Sequence, residues 1–131
     1  MNELQPTEAQ LEILRVLWDE QPCTIGHIHE RINQQRDDDD EVGYTTVSKQ
    51  IERMAKSNML ERTKAGKSYV YTSKLKEEET QHQLSNRLLQ TAYKGSGIKL
   101  ALHALGQSKA SLEELNALQE WLDQQKKSSD D

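Results

Sequence analysis

Residues 43–72 read GYTTVSKQIERMAKSNMLERTKAGKSYVYT. In the first half of this stretch an apolar residue recurs every three or four positions, which is the spacing of one face of an α-helix. We therefore predict a helix from the start of the stretch to about Lys56. A strand is predicted near Leu60–Lys64, a turn at Ala65-Gly66-Lys67 and a second strand at Ser68–Thr72, where β-branched and aromatic residues alternate between two faces.

Two shorter helices are predicted before this stretch. The first covers about Thr7–Glu20, because Thr7 and Gln10 have the spacing of a capping box and Pro22 cannot continue a helix. The second covers about Thr24–Gln35, with Thr24 as its N-cap. The acidic run Asp37–Glu41 follows and predicts a solvated loop, since adjacent like charges repel. Three helices followed by a two-stranded hairpin is the element order of a winged-helix domain.

The C-terminal part of the chain returns to helical spacing at Lys76. We predict a long fourth helix that glycines interrupt at positions 95 and 97, and then a short apolar helix Ile98–Leu105 that Gly106 ends. A last helix is predicted to begin with a capping box at Ser111 and Glu114. The polar residues 126–131 are expected to fray.

The composition indicates a small protein whose hydrophobic core is thin for a monomer. The chain has 131 residues, of which 34% are hydrophobic and none is Phe. A small chain with few apolar residues often completes its core by association. The order of the predicted elements gives a fold class that is mainly α with a small antiparallel β-hairpin: a winged helix-turn-helix domain over residues 1–74 and a C-terminal helical dimerisation arm over residues 75–131.

The sequence also limits the cellular setting and the chemistry. Cys23 is the only cysteine, so an internal disulfide and a cysteine-rich metal site are excluded. The N-terminus has no basic end followed by an apolar stretch, and no run approaches the ~18 apolar residues of a membrane span. We therefore expect a cytoplasmic protein without a signal peptide or membrane insertion. No Gly-rich phosphate loop or nucleophile–base pattern occurs, and we expect no catalytic residue, cofactor or bound metal.

The distribution of charge indicates nucleic acid, although the net charge is −5. Residues 44–74 carry seven Lys or Arg and two Glu, whereas residues 1–43 carry three basic and eleven acidic side chains. A basic segment inside an acidic chain is an electrostatic footprint for a polyanion, and its position matters more than the total charge.

The predicted third helix has two different faces when its residues are placed at 100° intervals. The apolar face has Val47, Ile51, Met54 and Asn58, and the opposite face has Thr45, Lys49, Glu52, Arg53 and Lys56. Hydroxyls near the start of a recognition helix reach base edges, and later cations contact phosphates. Lysines at the hairpin turn suit a minor-groove edge or the flanking backbone. The predicted DNA-binding residues are Thr45, Thr46, Ser48, Lys49, Arg53, Lys64 and Lys67.

Longer stretches of the chain resemble the penicillinase-repressor family, also called BlaI/MecI/CopY. The resembling stretches are Pro6-Thr7-Glu8-Ala9-Gln10-Leu11-Glu12-Ile13-Leu14 with Leu17-Trp18, Gly43-Tyr44-Thr45-Thr46-Val47 with Arg53-Met54, Tyr69-Val70-Tyr71, Tyr93-Lys94-Gly95, Leu100-Ala101-Leu102-His103-Ala104-Leu105 and Glu113-Glu114-Leu115. The resemblance covers about residues 4–123, nearly the whole chain.

The resemblance implies a homodimer that binds a palindromic double-stranded operator and blocks transcription. It implies that the third helix reads the operator through Thr45, Thr46, Ser48 and Lys49. The dimer contacts that it implies are Leu100, Leu102, Leu105, Leu115, Leu118 and Leu122. It also implies relief of repression when a membrane sensor metalloprotease cuts the C-terminal arm.

This chain departs from the family pattern at two places. Some members are cut at an Asn–Phe bond, whereas the matching positions here are His103 and Ala104, and the chain has no Phe. The copper-responsive members carry a cysteine-rich tail, whereas the tail here, residues 124–131, has no thiolate to bind copper.

Two other classes of function remain open on the residues alone. An enzyme or zinc protein is suggested by Cys23, His27 and His29, but two histidines two residues apart on a helix do not converge on one metal. The acidic run Asp37–Glu41 does not have the spacing of a calcium loop. A protein-interaction module without DNA binding would use the leucines of the last helix for another partner, and it would show no affinity for any duplex.

Overall fold

The computed structural model describes residues 5–129 of the chain. The elements in chain order are α1 Glu8–Glu20, α2 Ile25–Gln34, a 3₁₀ turn Asp38–Asp40, α3 Tyr44–Lys56, β1 Leu60–Ala65, β2 Ser68–Ser73, α4 Glu77–Thr91, α5 Gly97–Gln107 and α6 Leu112–Ser129. The chain divides after Ser85 into two compact units. The predicted fold class, mainly α with one antiparallel hairpin in winged-helix order, is confirmed. Residues 1–4 and 130–131, the outer ends of the two predicted domains, lie outside the described residues.

The helices begin at the caps that the sequence predicts. The Thr7 N–H donates to Gln10 Oε1 at 2.9 Å, and the Gln10 N–H donates to Thr7 Oγ1 at 3.2 Å. Thr24 Oγ1 accepts from the His27 N–H at 3.1 Å. Ser111 and Glu114 form the same reciprocal pair at the start of α6. Each cap satisfies backbone N–H groups that have no partner inside the helix.

The first unit contains the hydrophobic core, which the apolar stripes of α1, α2 and α3 build together. Its most deeply buried side chains are Ile13, Leu14, Leu17, Ile28, Ile51, Met54 and Leu60. Tyr71 joins them from β2, and Trp18 and Leu75 pack against the cluster at its edge. The solvent-facing sides of the three helices are therefore mainly polar.

The hairpin is tied to α1 and to the segment after it. Tyr71 exchanges two backbone hydrogen bonds with Cys23, at 2.8 and 3.1 Å, so one residue between α1 and α2 pairs with β2 as a minimal third strand. The Trp18 indole Nε1–H donates to the Leu75 carbonyl at 2.8 Å. The turn needs Gly66, whose φ of +65° is a left-handed conformation that glycine adopts without strain.

The connection between α2 and α3 is fixed at both ends. The Asn33 side chain donates to the Val42 carbonyl and accepts from the Val42 N–H, both at 2.9 Å. The Arg36 guanidinium makes two hydrogen bonds to the Glu12 carboxylate on α1, and this carboxylate is the main reason why the pKa of Arg36 is raised. The acidic run, predicted to be a loop, forms an exposed 3₁₀ turn between these two anchors.

Three predictions of detail are wrong. Asn58 is not on the buried face of α3: the helix ends at Lys56, and Asn58 is exposed with a left-handed φ of 66°, which asparagine tolerates. Gly106 does not end α5, which continues to Gln107. The predicted fraying of 126–131 is wrong as far as Ser129, because α6 includes Lys126 and Lys127 in a last turn whose dipole favours cations; residues 130–131 lie outside the described residues.

The second unit has no core of its own within the described residues. From Asn86 to Ser129 every side chain is exposed or half-buried. The Tyr93 hydroxyl lies 3.0 Å from His103 Nδ1, and the two rings meet edge to face, so the segment before α5 is attached to α5 by a polar contact. Apolar side chains along α5 and α6 stay open to solvent in the single chain.

We expect Asn33→Ala to lower the free energy of unfolding by about 1–3 kcal/mol, because it leaves the part-buried Val42 N–H without its partner. The Val42 carbonyl loses the Asn33 amide but keeps His29 Nε2 within hydrogen-bond distance. Urea denaturation followed by circular dichroism measures this change. Gln34→Ala, one residue away on the exposed side of α2, is the matched control and should change stability by less than about 0.5 kcal/mol. Equal losses in the two variants would contradict the role given to Asn33.

Candidate nucleic-acid interface

Helix α3 separates a buried side from an outward side. Val47, Ile51 and Met54 are buried in the core. Of the predicted DNA-binding residues on this helix, Thr45, Thr46, Lys49 and Arg53 are exposed and Ser48 is half-buried. The packing of one side thus determines which hydroxyls and cations face solvent.

The N-cap residue of α3 is Gly43, which has no side chain to cap the helix. The first backbone N–H groups of α3 therefore lack a side-chain partner at the N-cap, unlike those of α1 and α2. Tyr44, the first helical residue, is about half exposed and contacts the His29 ring edge to face, with 5.6 Å between ring centroids. The start of α3 is a polar surface flanked by an aromatic side chain.

The hairpin packs against α3 and contributes its own cations. The strand register pairs Arg62 with Tyr71 and Lys64 with Tyr69. Directly opposed residues lie on the same face of a sheet, so Arg62 and Lys64 share a face with the buried Tyr71. Lys67 follows Gly66 in the turn, and both Lys64 and Lys67 are exposed.

Arg62 and Tyr69 are candidate interface residues that sequence reasoning missed. The Arg62 guanidinium carbon lies 4.3 Å from the centroid of the Tyr69 ring, which is a cation–π contact. The period of two along β1, counted from the buried Leu60, would have placed Arg62 on this side of the hairpin. What the sequence does not show is that the ring of Tyr69 comes to lie beside it.

Two adjoining clefts separate α3 from the hairpin. One has a volume of about 550 Å³ and includes Lys56 and Lys74 in its walls. The other, about 310 Å³, includes Tyr44 and Tyr69. The walls of both clefts contain Glu52, Arg62 and Tyr71.

Charged side chains near the clefts affect the pKa of the Tyr71 hydroxyl. Burial raises the pKa of the Tyr71 hydroxyl, the Arg62 guanidinium beside it opposes that rise, and Glu52 adds to it. The carboxylate of Glu52 on α3 and the guanidinium of Arg62 on β1 therefore both act on the Tyr71 hydroxyl. The surface is a mixed one in which two carboxylates, those of Glu52 and Glu61, lie among the cations of Lys56, Arg62 and Lys74.

The residues considered for a metal are separated. The Cys23 thiol donates to the Glu20 carbonyl at 3.3 Å. His27 Nε2 lies 3.0 Å from the Glu20 carboxylate, a contact that is the main cause of the lowered pKa of Glu20. His29 Nε2 lies 2.9 Å from the Val42 carbonyl. Within residues 5–129 no group of three His, Cys, Asp or Glu side chains is placed to hold a metal ion.

The residues that the family resemblance assigns to the dimer lie on α5 and α6. Leu102, Leu105 and Leu115 are exposed, whereas Leu100, Leu118 and Leu122 are half-buried. The positions that match the cleavage region, His103 and Ala104, are exposed and lie inside α5. The peptide bond between them is therefore in helical conformation.

A three-helix unit with a basic third helix and a two-stranded wing defines a winged-helix DNA-binding regulator. The sequence profile described as penicillinase repressor matches residues 6–124. The chain therefore belongs to the penicillinase repressor family, as its motifs predicted. It is a DNA-binding transcriptional repressor, and the family is not one of enzymes.

Individual relatives are distant but match over most of their length. The methicillin resistance regulatory protein MecI of Mammaliicoccus sciuri is 25% identical over 112 residues, which are 86% of this chain and 88% of that protein. MecI of Staphylococcus aureus (strain N315) is 24% identical over the same shares. The crystal structure of transcriptional regulator Tm0710 from Thermotoga maritima matches with a TM-score of 0.51 at 20% identity and covers 95% of this chain and 76% of that chain. This last likeness shows the fold alone.

The helices of the described part of the chain were also compared with the requirements of a membrane span. None of them combines the necessary length with the necessary apolar character.

We expect the Cys23 thiol to react with Ellman's reagent at least about tenfold more slowly in the folded protein than in guanidinium chloride, since the thiolate is the reacting form. The side chain is only 4% exposed, and burial is the first cause of its raised pKa, which the nearby Glu20 raises further and Arg31 opposes. Cys23→Ser gives the blank because the chain has no other thiol. Equal rates in the two solvents would contradict the burial of Cys23.

Proposed function

We propose that this repressor binds a palindromic operator as a homodimer, with α3 of each protomer in the major groove of one half-site and the hairpin against the flanking backbone. The observation that carries the proposal is the outward side of α3, where Thr45, Lys49 and Arg53 are exposed in a segment that is basic within an acidic chain. We assign DNA binding to residues 1–74 and dimerisation to residues 75–131.

The outward residues of α3 can contact DNA in two ways, by hydrogen bonds to base edges and by binding to phosphates. Thr45, Thr46 and Ser48 are near the start of the helix, where hydroxyls can hydrogen-bond to base edges and methyl groups can contact thymine. Lys49 and Arg53 are one helical turn apart and can contact a guanine edge or a phosphate. Lys64 and Lys67 on the hairpin add cations that carry no sequence information when they meet phosphates.

The second unit supports the dimer part of the proposal. Exposed leucines on α5 and α6, among them Leu102 at 64% and Leu115 at 47% exposure, form apolar surface that a single chain leaves in water. Burying such surface lowers the free energy by about 25 cal/mol for each Å² removed from water. A second copy would present the same surface, and a twofold axis would pair the two helical arms. The two half-sites would then lie about 34 Å apart, or a multiple of that distance.

Relief of repression by proteolysis is the finer part of the proposal. We place the cut in the segment of His103 and Ala104 and assign it to a membrane sensor metalloprotease that meets the repressor in the cytoplasm. The segment is exposed but helical, so α5 has to unwind locally before its backbone enters a protease cleft. Without Phe in the chain, the protease has to recognise different side chains from those of an Asn–Phe bond.

Selection of bound sites from a random duplex library tests the function and supplies the operator. Thr46→Ala should then weaken operator binding by about 1 kcal/mol or more, roughly fivefold, and leave binding to a scrambled duplex unchanged. Lys64→Ala and Lys67→Ala should weaken both duplexes alike and reduce the slope of log K against log salt concentration by about 1. Fluorescence anisotropy over a salt series measures both quantities. Equal losses on both duplexes for Thr46→Ala would contradict its role in reading bases, and a wild type that selects no duplex would contradict the whole proposal.

Leu118→Asp should dissociate the dimer. A carboxylate enclosed in an apolar contact costs several kcal/mol, so self-association should weaken by at least about a hundredfold. Sedimentation equilibrium measures it. Ala117→Asp adds the same charge to the adjacent residue, about 100° away around α6, and serves as the matched control. If Leu118→Asp sediments like the wild type, the twofold contact lies elsewhere.

A further inference from the structure

Glu52 is an acidic residue on the outward side of a basic helix. It is one of two acidic residues in the segment 44–74, and its side chain is exposed. At 100° per residue it projects about 20° from Thr45 and about 40° from Lys56 around the axis of α3. Glu52 also lines both clefts between α3 and the hairpin, so it is on the hairpin side of the proposed DNA-binding surface.

The carboxylate of Glu52 has no neutralising partner in the described part of the chain. The ion pairs there join Glu20 to His27 and Arg31, and Glu12 to Arg36. Arg62 shares both clefts with Glu52, but its guanidinium lies over the ring of Tyr69. The charge of Glu52 still reaches Tyr71, whose pKa it helps to raise.

A free carboxylate at this place discriminates between duplexes. It only accepts hydrogen bonds, so a phosphate oxygen or a base acceptor brought close to it is repelled. Cytosine presents its N4 amino group in the major groove as a donor without an acceptor on the same base, whereas adenine presents N7 beside N6. Desolvating the Glu52 carboxylate costs free energy, and a charge-assisted hydrogen bond offsets that cost. Cytosine is the base whose donor can make this bond without bringing an acceptor close to the carboxylate.

We propose that Glu52 is a specificity-determining residue, whose carboxylate accepts from a cytosine N4 amino group in each half-site and weakens binding to duplexes that lack this cytosine. The proposal rests on the proposed function, since it requires α3 to lie in the major groove. The carboxylate of Glu52 disfavours binding to the wrong base sequence, which the cations of α3 cannot do.

Glu52→Ala tests the proposal, and Glu120→Ala is its matched control. Both variants remove one negative charge from an exposed helical position, and Glu120 is on the side of α6 opposite to Leu115, Leu118 and Leu122 at 100° per residue. Alanine favours the helix at both sites. The wild type and both variants are taken through the same selection from a random duplex library, and their affinities are measured for the wild-type site and for a scrambled duplex of equal length and composition.

Glu52→Ala should bind the scrambled duplex about threefold to tenfold more tightly than the wild type, and the ratio of selected to scrambled affinity should fall about tenfold or more, the effect of one discriminating base pair in each half-site. The sites that it selects should lose a cytosine preference at one position of each half-site and keep the others. Glu120→Ala should keep every preference. If Glu52→Ala retains all base preferences, the proposal is overturned, whether or not its affinity for scrambled DNA rises. A wild type that selects no site would overturn the proposed function itself.

Discussion

The rotation of α3 about its own axis is set by the burial of Val47, Ile51 and Met54 against α1 and α2. Turning the helix by half a revolution would expose these three side chains, at a cost of about 1.5–3 kcal/mol each, and would bury Lys49 and Arg53 without partners. The free energy that folds the first unit therefore also fixes which groups the helix presents to solvent. The anchors on the preceding segment, Asn33 with Val42 and Arg36 with Glu12, determine where the helix begins.

The periodic and local features of this fold could be predicted from the sequence. The apolar stripes of α1 to α3, the capping residues Thr7, Thr24 and Ser111 and the glycine of the hairpin turn all act within a few residues of the chain, and the structure contains each of them. The outward position of the predicted residues on α3 follows from the same periodicity. Local reasoning was weakest at helix ends, where α6 runs on to Ser129 and Asn58 leaves the helix.

Contacts between distant residues were beyond local reasoning. The hydrogen bond from Trp18 to the Leu75 carbonyl joins residues 57 apart in sequence. The β-bridge between Cys23 and Tyr71 adds one residue to the edge of the sheet, and no strand pattern in the sequence predicts it. The stacking of Arg62 on Tyr69 depends on the hairpin register. Counting charges along the sequence therefore could not identify these two residues as part of the candidate site. The two units also differ in kind: the first has a hydrophobic core, and within the described residues the second has no buried side chain.

The two-sidedness of α3 has an evolutionary consequence. Its outward residues are not part of the core, so exchanging them costs little thermodynamic stability, whereas truncating Ile51 or Met54 to Ala costs about 2–5 kcal/mol. Duplicated genes can therefore drift towards new target sites by a few substitutions at permissive positions and keep one scaffold throughout.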